Sequence, residues 1–73
     1  MARVSEQRLW RLRKLHQFVD AEIHEARAAE TEVRFLLNGD LSYARSYPTR
    51  GAALAEAAAK RSELERDGWM FHW

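Results

Sequence analysis

Apolar and polar residues alternate through the middle of this chain. In Glu32-Val33-Arg34-Phe35-Leu36-Leu37, the side chains of Val33, Phe35 and Leu37 share one side, the period of two expected of a half-buried strand. Leu41-Ser42-Tyr43-Ala44-Arg45-Ser46-Tyr47 alternates likewise, grouping Leu41, Tyr43 and Tyr47 with Arg45 among them. Asn38-Gly39 lies between the two runs, and this dipeptide supplies the positive-φ residues of a tight hairpin turn. Asp40 extends that turn. The pattern predicts a hairpin over residues 32–38 and 41–47.

The period then changes to that of a helix. Ala53, Leu54, Ala57, Ala58, Arg61 and Leu64 recur at helical spacing and form an apolar stripe that is thin, because alanine allows close approach but contributes little area. Thr49 fits the N-cap, and Pro48 holds Tyr47 extended before it. Gly68 fits the left-handed position past the last turn, with Lys60, Arg61 and Arg66 near the negative end of the helix dipole. The predicted helix covers 50–67, and Trp69 falls where it can touch Leu64. Two tryptophans and a phenylalanine then stand in the last five residues, Trp69 to Trp73. Side chains of this size are costly to leave in water, so the tail should fold back onto the domain.

The first thirty residues read in two ways. Leu9, Leu12, Leu15, Val19 and Ile23 make a helical stripe over about 5–24, and helix propensities agree. Alternatively, strands over 8–14 and 17–25 pair with each other. Val19, Ala21 and Ile23 then point one way, and Asp20, Glu22 and His24 the other. No Gly, Pro or Asn marks a turn around Leu15-His16-Gln17. Against the helix, a lone two-stranded hairpin is poorly stable in water, and the terminal helix needs a broader sheet to cover.

Several segments resemble a pattern in small uncharacterised bacterial proteins. They are Leu9-Trp10-Arg11-Leu12-Arg13-Lys14, Asp20-Ala21-Glu22-Ile23, Asn38-Gly39-Asp40-Leu41, Tyr43-Ala44-Arg45 and the run from Thr49-Arg50 to Gly68-Trp69. The resemblance implies an architecture in which a stretch of variable length lies where Glu25 to Thr31 stands here. Such a stretch is ordinary between strands and odd inside a helix, so it favours the strand reading. The expected fold is α+β: a three- or four-stranded antiparallel meander sheet, then one C-terminal helix packed on one face. The alternative is N-terminal helix, hairpin and C-terminal helix.

Composition narrows what such a fold can do. Seventy-three residues make a single small domain, burying only about 60% of the surface of its unfolded chain. With no cysteine in the sequence, neither a disulfide nor a Cys/His zinc site can add stability. Association is the remaining route, which makes a homodimer or another protein the expected partner. The net charge of +1 does not demand nucleic acid. Charge is nonetheless polarised, with a local excess of basic residues over 1–20 and of acidic residues over 21–32. Met1-Ala2-Arg3 begins no secretory signal, and no apolar run is long enough to span a bilayer. A cytoplasmic protein without membrane contact is expected.

No pattern of catalytic chemistry stands out. His16 and His24 lie about 12 Å apart along a helix or about 26 Å along a strand, too far to share a metal ion. The serines sit in no nucleophile-elbow context, and the glycines form no phosphate-binding loop. Asp20 and His24 share a strand face but stand about 13 Å apart. Neither a cofactor nor a small-molecule substrate is expected. The chemistry that remains is that of surfaces. Large apolar groups exceed what one thin stripe can cover, and one helix covers only one sheet face. The expected function is a non-enzymatic protein-interaction or regulatory module that self-associates. Its candidate residues are Trp10, Arg11, Arg13, Tyr43, Arg45, Trp69, Phe71 and Trp73. Nucleic-acid binding is the runner-up, using Arg11 and Arg13, with Arg34, Arg45, Tyr43 and Tyr47 adding charge and flat rings on a basic, aromatic sheet face.

Overall fold

Val19, Ala21 and Ile23 are all buried, and between them Asp20, Glu22 and His24 face the other way. That alternation, matched by Trp10 and Leu12 on the preceding segment, makes the N-terminal region two strands instead of a helix. In this computed structural model, which describes residues 5–25 and 30–71, the elements are β1 (Ser5–Lys14), β2 (Gln17–Glu25), β3 (Thr31–Leu37), β4 (Asp40–Tyr47), α1 (Arg50–Arg66) and β5 (Met70–Phe71). All pairings are antiparallel and the sheet order is β4-β3-β2-β1-β5. The first four strands form a meander. The helix then carries the chain across one face to the far edge, where Phe71 pairs with Leu12 and Met70 with Arg13. The expected α+β class is therefore realised, with β5 as a short addition from the tail.

Two turns use left-handed residues in different ways. Asn38 (φ 53°) and Gly39 (φ 88°) make the predicted tight hairpin. Asn38 also ties it to β2: its amide donates to the Phe18 carbonyl at 2.8 Å, and its Oδ1 accepts from the Phe18 amide at 3.0 Å. The turn between β1 and β2 has no such residue, and Leu15 itself takes φ 58°. A leucine there costs roughly 1–2 kcal/mol.

Irregularities in two strands reset which side chains share a face. The register of β1 against β2 shifts between Arg8 and Trp10, leaving Leu9 as the extra residue. A second shift lies between Phe35 and Leu36, where Ser42 is extra on β4. Leu41 consequently pairs with Leu36, on the face opposite the helix, and does not group with Tyr43 and Tyr47 as strict alternation predicts.

The core lies between α1 and one sheet face. A single cross-strand row runs Trp10, Ala21, Phe35, Tyr43 over four strands. Ala21 is small enough for the rings on either side to meet, with Trp10 and Phe35 centroids 6.1 Å apart. Trp10 Nε1 donates to the Ala57 carbonyl at 3.2 Å, fixing the helix above the row. Around it pack Leu12, Val19, Ile23, Val33, Ala53 and Ala57, with Leu64 and Trp69 at the margin. The stripe of α1 differs from the predicted one: Leu54 and Ala58 are exposed, while Glu56 and Lys60 are half-buried. The helix packs mainly over β3 and β4, and in that orientation Leu54 faces outward.

Capping follows the sequence signals. Thr49 Oγ1 accepts from the Ala52 amide at 3.1 Å. At the other end Trp69 N donates to the Leu64 carbonyl at 3.0 Å and Gly68 N to that of Glu65 at 3.1 Å, the paired bonds of a Schellman ending. Gly68, at φ 97°, supplies the left-handed residue this requires. Lys14 Nζ donates to the Asp67 carbonyl at 2.7 Å, joining the helix end to β1.

Candidate interaction surface

Three surfaces are left by this packing: the sheet face away from α1, the outer edge of β4, and the opposite edge at β1 and β5, where Leu15, Met70 and Phe71 are exposed. On the first, the residues of β1, β2 and β3 that point away from the core are mostly charged, with Phe18 and Leu36 as apolar exceptions. Arg11 forms a two-pronged pair with Asp20, Nε to Oδ1 at 2.6 Å and Nη2 to Oδ2 at 2.9 Å. Its guanidinium also lies 4.5 Å from the centre of the Phe18 ring. Asp20 is only 5% exposed, although it sits on the face that α1 does not cover. The Asp20 hydrogen bonds hold the Arg11 guanidinium protonated even more firmly than usual, against a smaller opposing effect of burial. His24 lies 2.9 Å from Glu22 and 4.0 Å from Glu6, and Arg34 is paired with Glu32. Cross-strand and neighbouring ion pairs thus cover this face with charge of both signs.

The second surface is apolar and partly open. Every residue of β4 from Asp40 to Ser46 is exposed, whereas β2 and β3 carry the buried core. Among the described residues nothing pairs with the outer edge of β4. Tyr43 stacks on Phe35 with centroids 6.0 Å apart and an interplanar angle of 24°, yet is 45% exposed. The aromatic row thus runs out of cover at the sheet edge. A groove of about 440 Å³ opens beside it, between α1 and the β3–β4 hairpin, walled by Val19, Phe35, Leu37, Tyr43 and Leu64. Glu56 and Lys60 stand at its rim. Leu41, at 58% exposure, adds an apolar group on the other side of the same strand. Arg45 shares the helix-side face with Tyr43 and Tyr47, its guanidinium 5.3 Å from the Tyr47 ring. The Tyr43 hydroxyl and then the two phenol groups' charges raise its pKa further. Tyr47 Oη is buried without a hydrogen-bond partner. Burial, reinforced by the Glu56 carboxylate, pushes the Tyr47 phenol up.

The candidate residues from the sequence therefore occupy different places. Trp10 is a core residue, 4% exposed and bonded to the helix. Arg11 and Arg13 share the charged face, and Arg13 Nε reaches the Leu15 carbonyl at 3.4 Å. Tyr43 and Arg45 are together on β4, on the opposite face from those two arginines. Trp69 is half-buried against the core, and Phe71 on β5 lies 4.7 Å beneath the Arg61 guanidinium. Trp73 lies outside the described residues. Leu37, Leu41 and Glu56 belong to the β4 surface and were not among the candidates. The serine that breaks the alternation before Tyr43 carries no mark of a bulge, which is why Leu41 was placed on the wrong face.

Among the described residues no group of three His, Asp or Glu side chains is placed to hold a metal ion, and no helix is long and apolar enough to cross a membrane. Comparison of the chain with protein-family models, with curated proteins and with solved structures gives no significant match.

Proposed function

We propose that this chain is a non-enzymatic protein-interaction module that self-associates and works through the β4 edge and the groove beside it. The carrying observation is the exposure of Tyr43 at the end of a row whose other rings are buried. A strand edge offers backbone donors and acceptors to another strand. Here it is flanked by exposed apolar side chains, Leu37 and Leu41 as well as Tyr43, and aromatic groups with a neighbouring arginine are the composition that interface centres favour.

The nucleic-acid reading needs arginines and flat rings on one surface. Arg11 and Arg13 lie across the sheet from Tyr43 and Tyr47, and Arg11 is engaged by Asp20. That layout divides the arginines between two faces, with Arg45 beside the tyrosines and Arg11 held by Asp20, so protein contact is the better reading.

The test pairs a surface change with a readout of association. The double variant Leu41→Ser/Tyr43→Ser should keep the wild-type helical circular dichroism while losing the associated species in sedimentation and in nuclease-treated pull-downs. Unchanged association would refute the assignment of this surface. Association that disappears from wild-type protein on nuclease treatment would favour nucleic acid instead.

A further inference from the structure

The order of side chains along β4 selects what pairs with it. We infer that the occupant is β4 of a second copy, running antiparallel, with Ala44 opposite Ala44 on a two-fold axis normal to the sheet. This rests on the interaction reading above and specifies its partner.

A two-fold antiparallel pair within one continuous sheet must set residues of the same face opposite each other, so one residue sits on the axis. Few positions of β4 can do so. Centring on Arg45 would place two guanidinium groups directly opposite, and like charges there are destabilising. Centring on Ser46 brings Pro48 against Ala44, and proline has no amide to donate. Centring on Tyr43 takes the bulged Ser42 of both copies into the middle of the pairing.

Centring on Ala44 avoids all three. Tyr43 of each copy then faces Arg45 of the other, on the helix side of the sheet. The bulge falls at the ends of the pairing, where Ser42 approaches Ser46 and both side chains are small and neutral. The aromatic row continues from Trp10 through Phe35 and Tyr43 onto a guanidinium of the second copy, the arrangement that favours cation–π contact. The same arginine brings positive charge toward the groove rim where Glu56 stands. Both helices lie on one side of the resulting sheet, and the grooves of the two copies adjoin. The regular pairing is short, so an affinity in the micromolar range or weaker is expected.

The absence of cysteine from the sequence gives a direct test. Opposed Cα atoms in an antiparallel pair lie about 4.5–5.5 Å apart, inside the roughly 4.4–6.8 Å window of a disulfide. Ala44→Cys should therefore form a disulfide-linked dimer under mild oxidation at least tenfold faster than Ser46→Cys, whose Cα atoms would be about 13 Å apart. A mixture of Tyr43→Cys and Arg45→Cys chains should cross-link mainly as heterodimers. Ala44 is exposed, so the thiol should be tolerated, and sedimentation of wild-type protein gives a second reading that needs no variant. A wild-type dimer that cross-links fastest at another position overturns this register and leaves the interaction module intact. A strictly monomeric wild type up to about 1 mM, where even a small contact registers, overturns β4 self-pairing altogether. Loss of a heterologous partner from the Leu41→Ser/Tyr43→Ser variant would then support a protein-interaction module that does not self-associate.

Discussion

Truncating Arg11 to alanine should destabilise the fold by about 2 kcal/mol, while truncating Arg13, on the same strand face, should cost less than about 0.5 kcal/mol. The contrast comes from what each guanidinium touches. Arg11 meets both oxygens of Asp20, whose side chain is 8% exposed against 29% for Arg11. Removing it strands a nearly buried carboxylate, a change worth about 3–5 kcal/mol in a fully buried pair. The guanidinium side is open to solvent, so water can enter and reduce that figure to about 1–1.5 kcal/mol. Loss of the Arg11 contact with the Phe18 ring adds about 0.5–1 kcal/mol. Arg13 makes a 3.4 Å bond to a turn carbonyl at an exposed site, and such contacts are worth little. For a domain of this size, 2 kcal/mol corresponds to a fall in Tm of about 8–16 °C. Urea denaturation of Arg11→Ala, Asp20→Ala and the double variant, followed by circular dichroism, measures the pair directly. The double variant should recover about 1 kcal/mol relative to the sum of the single changes. Equal small losses for Arg11→Ala and Arg13→Ala would refute the argument, and would return Arg11 to the pool of side chains available for a ligand.

Leu15→Asn should stabilise the domain by about 0.5–1 kcal/mol, because asparagine accepts the left-handed backbone that leucine resists. At 83% exposure Leu15 gives up almost no packing, and a lower Tm for this variant would show that the turn is not built as described. Ala21→Leu should cost about 1–3 kcal/mol by forcing apart the Trp10 and Phe35 rings between which Ala21 is fully buried; an unchanged urea midpoint would mean that the row is loosely packed. Tyr47 provides a pH test. Its folded-state pKa is raised, so its contribution is fully present below the ordinary tyrosine value of about 10 and is lost as pH rises through the folded value. Tyr47→Phe should be at least as stable at neutral pH, since it removes an unpartnered buried hydroxyl, and should show a shallower alkaline decline. A steeper decline in the variant would contradict the assignment.

Much of the architecture was legible because local signals and global needs agreed. Asn38-Gly39 has one economical backbone solution, and Thr49, Gly68 and Trp69 bound the helix by hydrogen bonds that their residue types imply. The N-terminal strands were less legible. Leu9, Leu12, Leu15, Val19 and Ile23 satisfy a helical period while Val19, Ala21 and Ile23 satisfy a strand period, and the turn that decides between them rests on a leucine in an unfavourable conformation. The variable stretch at Glu25 to Thr31 tips that ambiguity toward strands, and the demand for a wide sheet beneath the helix, a tertiary demand, agrees. The surfaces were harder still. Trp10 reads as a large exposed anchor until Ala21 is seen to make room for it beside Phe35. Arg11 reads as available charge until Asp20 is found opposite. In both cases the deciding neighbour is a small or acidic residue on another strand, set there by registers that two bulges shift. Tyr43 and Arg45 differ because β4 is the last strand of the meander and no described residue lies beyond them. Their exposure follows from strand order alone, which is why the pairing of Ala44 with its own copy is the most direct probe of what this edge is for.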